Sequence, residues 1–301
     1  MNQQHYSVLL NETIESLDIK PDGVYVDLTL GLGGHSAEIL KKLNQQGLLI
    51  GFDKDEYAIE KSRRRLSQIA DNFILIRSDF RNIRSQLMKL KIDKVDGIIA
   101  DLGVSSPQLD ISERGFSYNK DARLDMRMNQ DQEIDAYYIV NNYDEVALTQ
   151  ILIKHADVKL AKQVAKAIIK SRPITTTLEL VDVIKSAYPA AILRQKNPAK
   201  AVFQAIRIEV NDEFNAIHTM LNDSLDLLKP NGHLAIITFH SLEDKIVKNF
   251  FGNLIKDKLP SKMPVNEIKN YNARQIKPSQ AELLENKRSR SAKLRVLTKI
   301  S

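Results

Sequence analysis

The sequence predicts an α/β fold in which a mostly parallel, doubly wound sheet carries an inserted all-helical domain. Short, β-branched strand patterns alternate with helical patterns over the first third of the chain, which is typical of parallel strands joined by crossover helices. The alternation then gives way to helical patterns alone before another strand pattern appears. A helical domain inserted after the fourth strand explains this order most simply.

The first four strand candidates are each short and bounded by Gly, Asp or Asn. They cover 23–29, 47–53, 73–79 and 95–103. An amphipathic segment precedes the first of them. Helical spacing of apolar residues predicts helices between the strands at 35–43, 56–69 and 82–90.

No strand pattern is found between 111 and 200, where short helices are predicted instead. They cover 144–155, 159–171 and 177–188. One long helix should follow, capped by Asn197 and apolar on one face as far as Leu228. The segment KPNG, 229–232, should end this helix.

A fifth strand is predicted at 233–239, a polar loop at 257–275 and an edge strand at 292–298. The two ends of the chain therefore belong to one discontinuous domain, 1–110 with 205–301. The remaining residues, 111–204, form the inserted helical domain.

The composition limits the chemistry available to the protein. Its 301 residues include no cysteine, which excludes disulfides, thiolate metal sites and cysteine nucleophiles. The six histidines are scattered without an i,i+4 pair, so no metal site is expected. The amino terminus lacks the order of a signal peptide, and no apolar run approaches the roughly 18 residues of a membrane span. We expect a soluble, cytoplasmic protein.

Positive charge is concentrated near residue 301. The formal net charge is +6, and the segment 286–301 alone contains six Lys and Arg residues and no acid. Such a cluster suits contact with a phosphate backbone, through residues that include Arg288, Arg290 and Arg295. A solvated basic tail is the alternative.

A glycine turn follows the first strand, in the segment VDLTLGLGGHS. It does not match the phosphate-binding P-loop pattern G-x-x-x-x-G-K-[ST]. It also fails the dinucleotide pattern G-x-G-x-x-G, because Ser36 stands in the place of the third glycine after Gly31 and Gly33. Two glycines alone are weak support for any ligand and also suit an ordinary tight turn.

Acids at the strand ends narrow the choice of ligand. Asp53 ends the second strand twenty residues after Gly33, where a carboxylate commonly accepts hydrogen bonds from ribose hydroxyls. Asp27 ends the first strand, where it would repel a pyrophosphate and attract an ammonium or sulfonium group. S-adenosylmethionine combines a nucleoside with such a cation, so we expect it as the cofactor. The loop glycines would let the backbone approach it closely.

Two further strand ends complete the expected pocket, since ligands of open α/β sheets bind beyond the carboxyl ends of the strands. Asp79 and Phe80 follow the third strand, where the ring could stack on adenine. Packing in the core is the alternative for Phe80. Asp101 ends the fourth strand and should face the methyl group, with the capping of a turn as its alternative role.

Longer motifs resemble a known family. The segments HYSVLLNETI, DLGVSSPQLD, ERGFSY, LDMRM, FQAIRIEVNDE, FHSLED and RSRSAKLR stand in the order and spacing of the RsmH (MraW) family of bacterial methyltransferases. The resemblance runs from His5 to about Lys299. It implies a class I, Rossmann-like methyltransferase that transfers a methyl group from S-adenosylmethionine to the exocyclic N4 of a cytidine in 16S ribosomal RNA, within the small ribosomal subunit. The helical insertion would recognise the RNA, and it offers surface for a homodimer.

Position by position, the resemblance implies cofactor contacts at Gly33, Gly34, His35, Asp53, Phe80, Asp101 and Gln108. The contacts of His35 and Gln108 rest on the resemblance alone. The loop after Asp101 lacks the Pro-Pro-Tyr sequence with which many amino-methyltransferases hold the target amino group. We therefore expect the Asp101 carboxylate, or a carbonyl of this loop, to accept an amino hydrogen.

Candidates for RNA contact follow the fourth and fifth strands, because a base that is methylated must leave its stack and be held by aromatic and basic groups. They are Ser105, Ser106, Arg114, Phe116, Tyr118, Arg127 and His240. Packing within the protein is the alternative for the two aromatic residues, and a turn contact for His240. The run Arg63, Arg64 and Arg65 is expected on a solvated helix face.

Three other functions stay open on the residues alone. A class I methyltransferase could act on DNA or on a protein, because a basic tail does not distinguish these acceptors. A non-catalytic RNA-binding module could retain the cofactor fold, although the intact acids at four strand ends argue against it. A dinucleotide oxidoreductase is disfavoured by Ser36 and Asp27.

Overall fold

A computed structural model of the chain describes residues 7–195, 197–256 and 269–301. The chain divides into two compact units, Met1–Gly103 with Asn215–Ser301, and Val104–Phe214. The second unit contains the whole expected insertion, 111–204, and extends beyond it at both ends. The start of the motif HYSVLLNETI and most of the expected loop 257–275 lie outside the described residues.

The strands of the described residues form one sheet in the first unit. They are β1 Val24–Asp27, β2 Leu48–Asp53, β3 Phe73–Arg77, β4 Val95–Asp101, β5 Leu228–Thr238, β6 Tyr271–Ile276 and β7 Lys293–Lys299. Their order across the sheet is β3-β2-β1-β4-β5-β7-β6. Strands β1 to β5 are parallel, as predicted, and β7 is antiparallel to β5 and β6. The order reverses between β1 and β4, and such a switch point leaves a crevice for a ligand.

The described helices lie between and beyond these strands. In chain order they are α1 Leu10–Ser16, α2 Gly34–Lys42, α3 Glu56–Leu66, α4 Ile83–Lys89, α5 Ser106–Asp110, α6 Ala136–Asn142, α7 Glu145–Ala156, α8 Ala161–Lys170, α9 Thr177–Ser186, α10 Ala190–Leu193, α11 Ala199–Asn211, α12 Glu213–Leu227, α13 Ser241–Ile255 and α14 Gln280–Glu285. Helices α5 to α11 belong to the second unit, which has a hydrophobic core of its own. Among all these helices, none has the length and apolar character needed to cross a membrane.

The last part of the sheet differs from the prediction. Strand β5 begins at Leu228, so the segment KPNG lies within the strand, where the pairing with β4 shifts in register between Val95 and Gly97. Strand β7 is not an edge strand, because β6 pairs with its outer side. Strand β6 falls in the region predicted as a loop. It buries no residue fully, and a half-exposed edge strand carries little apolar pattern in its sequence.

The single long helix predicted from Asn197 is two helices, α11 and α12. Asp212 lies between them in the left-handed conformation with φ 50°, which ends the first helix. Asp tolerates this conformation better than most residues. The ion pair between Arg207 and Glu213, with N–O distances of 2.7 and 2.8 Å, joins the two helices across the break. The apolar spacing continues on both sides, so it did not reveal the interruption.

Candidate active site

The turn between β1 and α2 has the conformation that its glycines allow. Gly31 and Gly33 have φ values of 53° and 70°, in the left-handed region that favours glycine. The backbone N–H of Gly31 donates to Oδ2 of Asp53 at 2.9 Å, and the Ser62 hydroxyl donates to the Gly31 carbonyl at 2.9 Å. These bonds hold the turn against the end of β2 and the middle of α3.

Two further contacts reach this turn from residues whose roles were not predicted. Arg65, expected on a solvated helix face, donates to the carbonyl of Leu32 at 3.3 Å. A Cβ added at Gly34 would lie 1.8 Å from the Ser7 hydroxyl oxygen, so a larger residue there would require the Ser7 side chain to move. The backbone of the turn is thus enclosed on several sides.

Asp27 is buried at the end of β1, with 1% of its surface exposed. Its Oδ1 accepts from the backbone N–H of Thr29 at 3.1 Å, and its Oδ2 accepts from the Ser36 hydroxyl at 2.7 Å. Burial raises the pKa of Asp27 to about 6 despite these two bonds. Ser36, which stands where the dinucleotide pattern requires glycine, therefore orients the carboxylate of Asp27.

Asp53 lies at the end of β2 and is oriented by backbone groups. Its Oδ1 accepts from the N–H of Asp55 at 2.9 Å, while Oδ2 accepts from Gly31. Burial also raises the pKa of Asp53 to about 6, and the nearby charges of Asp55 and Asp27 add to the effect. A carboxylate has about four acceptor positions, so Asp53 retains acceptor capacity on both oxygens.

The end of β3 places an aromatic ring at the same edge of the sheet. Phe80 is partly exposed and does not belong to the buried core. The Lys54 ammonium lies 5.8 Å from its ring centroid and pairs with Asp79 at 2.9 Å. Asp79 also pairs with Arg81 at 3.0 Å. The carboxylate of Asp79 is therefore bound by two cations, whereas the ring of Phe80 is partly exposed.

Asp101 is the last residue of β4, and one oxygen of its carboxyl group has no hydrogen bond within the described residues. Its backbone N–H donates to the Thr29 hydroxyl at 2.6 Å, which ties the ends of β4 and β1 together. Its Oδ1 is buried and has no hydrogen-bond partner among the described residues. Burial raises the pKa of Asp101 well above its usual range, and the charges of Asp27 and Glu243 raise it further. This oxygen is an acceptor without a donor.

Glu243 is a neighbour of Asp101 whose role was not predicted from the sequence. It is fully buried in the first turn of α13, where its Oε2 accepts from the N–H of Phe239 at 3.0 Å. His240 caps the same helix, and its Nε2 lies 2.8 Å from Oε1 of Glu243. The pattern of a capping residue followed three positions later by Glu is a capping box, which was the available signal in FHSLED.

His35 is buried in the first turn of α2. Its Nε2 lies 3.1 Å from the carbonyl oxygen of Val8, so this nitrogen is the donor. Burial lowers the pKa of His35 to about 4 and keeps the ring neutral. The side chain thus binds the segment before α1.

Several of the predicted site residues lie in the second unit. Gln108 is buried in α5, and its Oε1 accepts from the N–H of Ser105 at 3.0 Å. Phe116 is part of the helical core, and Tyr118 packs edge-on against Phe203 with centroids 5.9 Å apart. The packing alternative for these two aromatics therefore has direct support. The side chain of Ser106 is not among those that the structure describes.

The predicted arginines differ in how far their charge is available. Arg114 is buried and donates to the carbonyls of Arg127 and Met128 at 3.0 and 3.3 Å. Arg127 binds both oxygens of Asp125 at 2.9 and 2.8 Å. In the first unit, Arg295 binds Asp244 at 2.7 Å. Arg288 and Arg290 lie at the surface of the same unit. Over 7–195, 197–256 and 269–301 the acids and histidines form no group suited to a metal ion.

The chain was compared with known proteins. The family model described as MraW methylase family matches residues 2–300. A protein of Mycoplasmopsis agalactiae named ribosomal RNA small subunit methyltransferase H is 65% identical over 300 residues, covering 100% of both chains. Proteins of the same name are 57% identical in Mycoplasmopsis pulmonis, over 99% of this chain and 100% of that one, and 50% identical in Clostridioides difficile, over 100% of both. The chain belongs to the MraW methylase family.

Proposed function

We propose that this protein transfers the methyl group of S-adenosylmethionine to the exocyclic N4 of a cytidine in small-subunit ribosomal RNA. The observation that carries this proposal is the row of carboxylates at the ends of β1, β2 and β4, beside a left-handed glycine turn that contains no Lys or Arg. Such a site favours a nucleoside with a cationic tail over a pyrophosphate. Membership of the MraW methylase family and the name of the relative that is 65% identical support the reaction and its acceptor.

The residues of the first unit fit this cofactor. The free acceptor positions of Asp53 suit the two ribose hydroxyls, and the charge of Asp27 suits a sulfonium. The partly exposed ring of Phe80 suits the adenine. Gly33 and Gly34 belong to the turn that the cofactor would contact. His35 would contribute its backbone, because its ring is bound to Val8.

Gln108 is a further expected cofactor contact, and its side chain caps the start of α5. Among the expected RNA contacts, Ser105 follows the loop after Asp101, and Arg288 and Arg290 are exposed. We infer that RNA recognition belongs to the helical insertion together with this basic segment.

S-adenosylmethionine, when bound, supplies an electrophilic methyl group. The Asp101 Oδ1, which has no donor of its own in the described residues, accepts one hydrogen of the cytidine amino group. This draws the nitrogen lone pair out of conjugation with the ring and directs it to the methyl carbon. The raised pKa of Asp101 makes this carboxylate a stronger base than an exposed one. As the new C–N bond forms, the bond between the methyl carbon and sulfur would break with its electron pair left on sulfur, and S-adenosylhomocysteine would be the second product. The proton released from the amino nitrogen passes to Asp101 and then to water.

We also propose that the acceptor is RNA within the small ribosomal subunit, in the cytoplasm, and that the protein forms a homodimer. Val146 and Ile153 lie on one face of α7 with 64% and 53% of their surfaces exposed, which suits a contact between copies. Sedimentation velocity tests this part: a monomer at micromolar concentration would contradict the homodimer without touching the proposed reaction.

Transfer of labelled methyl groups tests the reaction. Small ribosomal subunits from cells that lack this gene would serve as acceptor, with free ribosomal RNA and duplex DNA in parallel. We expect label in the subunits as N4-methylcytidine. Label on DNA, or cofactor binding without transfer to any acceptor, would overturn the proposal in favour of another acceptor or of a binding role.

The Asp101→Asn variant tests the assignment of the proton acceptor. We expect turnover at saturating cofactor to fall by roughly 100-fold or more, the usual effect of removing a general base. Normal turnover with weaker cofactor binding would make Asp101 a binding residue only. Binding of cofactor to the variant, measured by calorimetry, provides the control for folding.

A further inference from the structure

Several arginines of the helical unit already bind carboxylates or carbonyls of the same unit. Arg127 binds both oxygens of Asp125, and Arg207 binds both oxygens of Glu213. Arg114 is buried beneath backbone carbonyls. A guanidinium that is already neutralised or buried contributes little to the attraction of a phosphate. A different set of cations must supply any electrostatic contact with RNA from this unit.

Helix α8 carries three lysines that meet this need. Lys162, Lys166 and Lys170 are spaced by four residues, so they occupy an arc of about 80° on one face at 3.6 residues per turn. All three are exposed. Within the described ranges, none of them pairs with a carboxylate. The chain contains no acid between 158 and 178, so no negative charge on this helix interrupts the row.

The opposite face of α8 is held in the core of the unit. Ala161, Val164, Ala165 and Ile168 are buried there, and the helix packs against α7 and α9. Glu179, the first acid after the row, is occupied in capping α9, where it accepts from the N–H groups of Thr175 and Thr176 at 2.7 and 3.0 Å. The lysine row therefore stands on a fixed helix and faces solvent.

We propose that this row, Lys162, Lys166 and Lys170, binds the phosphate backbone of the acceptor RNA. For the identity of that RNA the inference rests on the proposed function. Lysines are point charges without the fork geometry that reads bases or binds carboxylates in pairs. Phosphate contacts of this kind position a nucleic acid and raise affinity without reading its sequence. The row would thus contribute to affinity for long RNA and leave the choice of nucleotide to other residues.

The test compares two triple variants of equal charge. In Lys162→Gln/Lys166→Gln/Lys170→Gln the row is neutralised, and in Lys42→Gln/Lys61→Gln/Lys89→Gln three exposed lysines of α2, α3 and α4 are neutralised. Each lowers the formal net charge by three, from +6 to +3. Gln and Lys have similar helix propensities, so both variants should fold. Binding of an unmodified small-subunit ribosomal RNA transcript is measured by filter binding over a range of salt concentrations.

Neutralising the row should weaken RNA binding roughly tenfold or more relative to the control variant. The decrease of log K with log salt should become less steep by about 2 to 3, since each phosphate contact contributes about 0.7–0.9 to the slope. Affinity for S-adenosylmethionine should stay unchanged in both variants. The Lys162→Arg/Lys166→Arg/Lys170→Arg protein, which keeps the charge, should bind RNA as the wild type does.

Equal affinity and salt slope in the two glutamine variants would refute the inference, because net charge rather than its place would then govern binding. Methyl transfer is measured separately on the same proteins. A wild-type protein that binds RNA through the row but transfers no methyl group would overturn the proposed reaction and leave the lysine row standing.

Discussion

Replacing Asp27 by Asn should stabilise the free protein. The carboxyl group is 1% exposed, and burial raises its pKa from 3.8 to about 6. A shift of about two pKa units corresponds to about 3 kcal/mol by which the folded protein disfavours the charged form at neutral pH. Asn has the same shape, can accept from the N–H of Thr29 and can donate to the Ser36 hydroxyl, so the local hydrogen bonds need not be lost.

The sign of the pKa shift fixes the pH dependence of this gain. Because the pKa of Asp27 is higher in the folded state than in the unfolded state, its contribution to stability is fully present below about pH 4 and is lost as the pH rises through about 6. The variant should therefore exceed the wild type by up to about 3 kcal/mol in free energy of unfolding at about pH 8, and by little at about pH 4. Urea titrations followed by circular dichroism, without cofactor, measure this difference.

An Asp27→Asn protein less stable than the wild type at about pH 8 would refute the reasoning, as would a gain of equal size at both pH values. The same variant should bind S-adenosylmethionine more weakly in calorimetry, because it lacks the negative charge that attracts the sulfonium. Stability and cofactor affinity should thus change in opposite directions.

Other perturbations test further parts of the structure. Gly33→Ala should lower the free energy of unfolding by about 1–2 kcal/mol and, with it, the melting temperature. The reason is that φ is 70° there and an added Cβ would lie 3.0 Å from the Ser62 hydroxyl. Glu213→Gln should lower the free energy of unfolding in urea by roughly 3 kcal/mol, because the charge of Arg207 would lose the opposite charge of Glu213 in a largely buried site. Binding of S-adenosylmethionine, measured by calorimetry, should weaken as the pH falls through about 6, where Asp53 takes up a proton and loses acceptor capacity for the ribose hydroxyls and Asp27 loses the charge that attracts the sulfonium.

Each of these expectations can fail in a recognisable way. An unchanged melting temperature for Gly33→Ala would show that the turn can leave the left-handed conformation. Unfolding of Glu213→Gln at the wild-type urea concentration would mean that the ion pair contributes nothing across the helix break. Cofactor affinity that is constant between about pH 5 and 8 would show that neither Asp53 nor Asp27 changes its charge in this range.

The acids of the candidate site could be predicted because each stands at a strand end. Asp27, Asp53 and Asp101 follow apolar, β-branched runs, and parallel strands bring their carboxyl ends to one edge of a sheet. The partners that orient them were harder to find. Ser36 and Thr29 are small polar residues whose role depends on the three-dimensional course of the turn, which a linear pattern does not encode.

The errors of prediction have different physical origins. The break at Asp212 involves one residue in a left-handed conformation, and the apolar faces of α11 and α12 follow helical spacing on either side of it. The edge strand β6 has too little buried surface to produce a pattern. The RNA contacts of Arg114 and Arg127 stay predictions, but their charge alone did not show that a carbonyl or a carboxylate within the same unit binds them.

The place of the helical unit in the chain has a consequence for the order of folding. Strands β4 and β5 are neighbours in the sheet, yet the whole second unit is synthesised between them. Closing a long flexible loop is entropically unfavourable, and a unit already folded replaces that loop with a shorter span between its ends. Helical units with mostly local contacts also fold quickly. Pulse-labelled hydrogen exchange should therefore find the amides of α7 and α8 protected before those of β5, so that the sheet holding the carboxylate row is completed only after the insertion has become a rigid body.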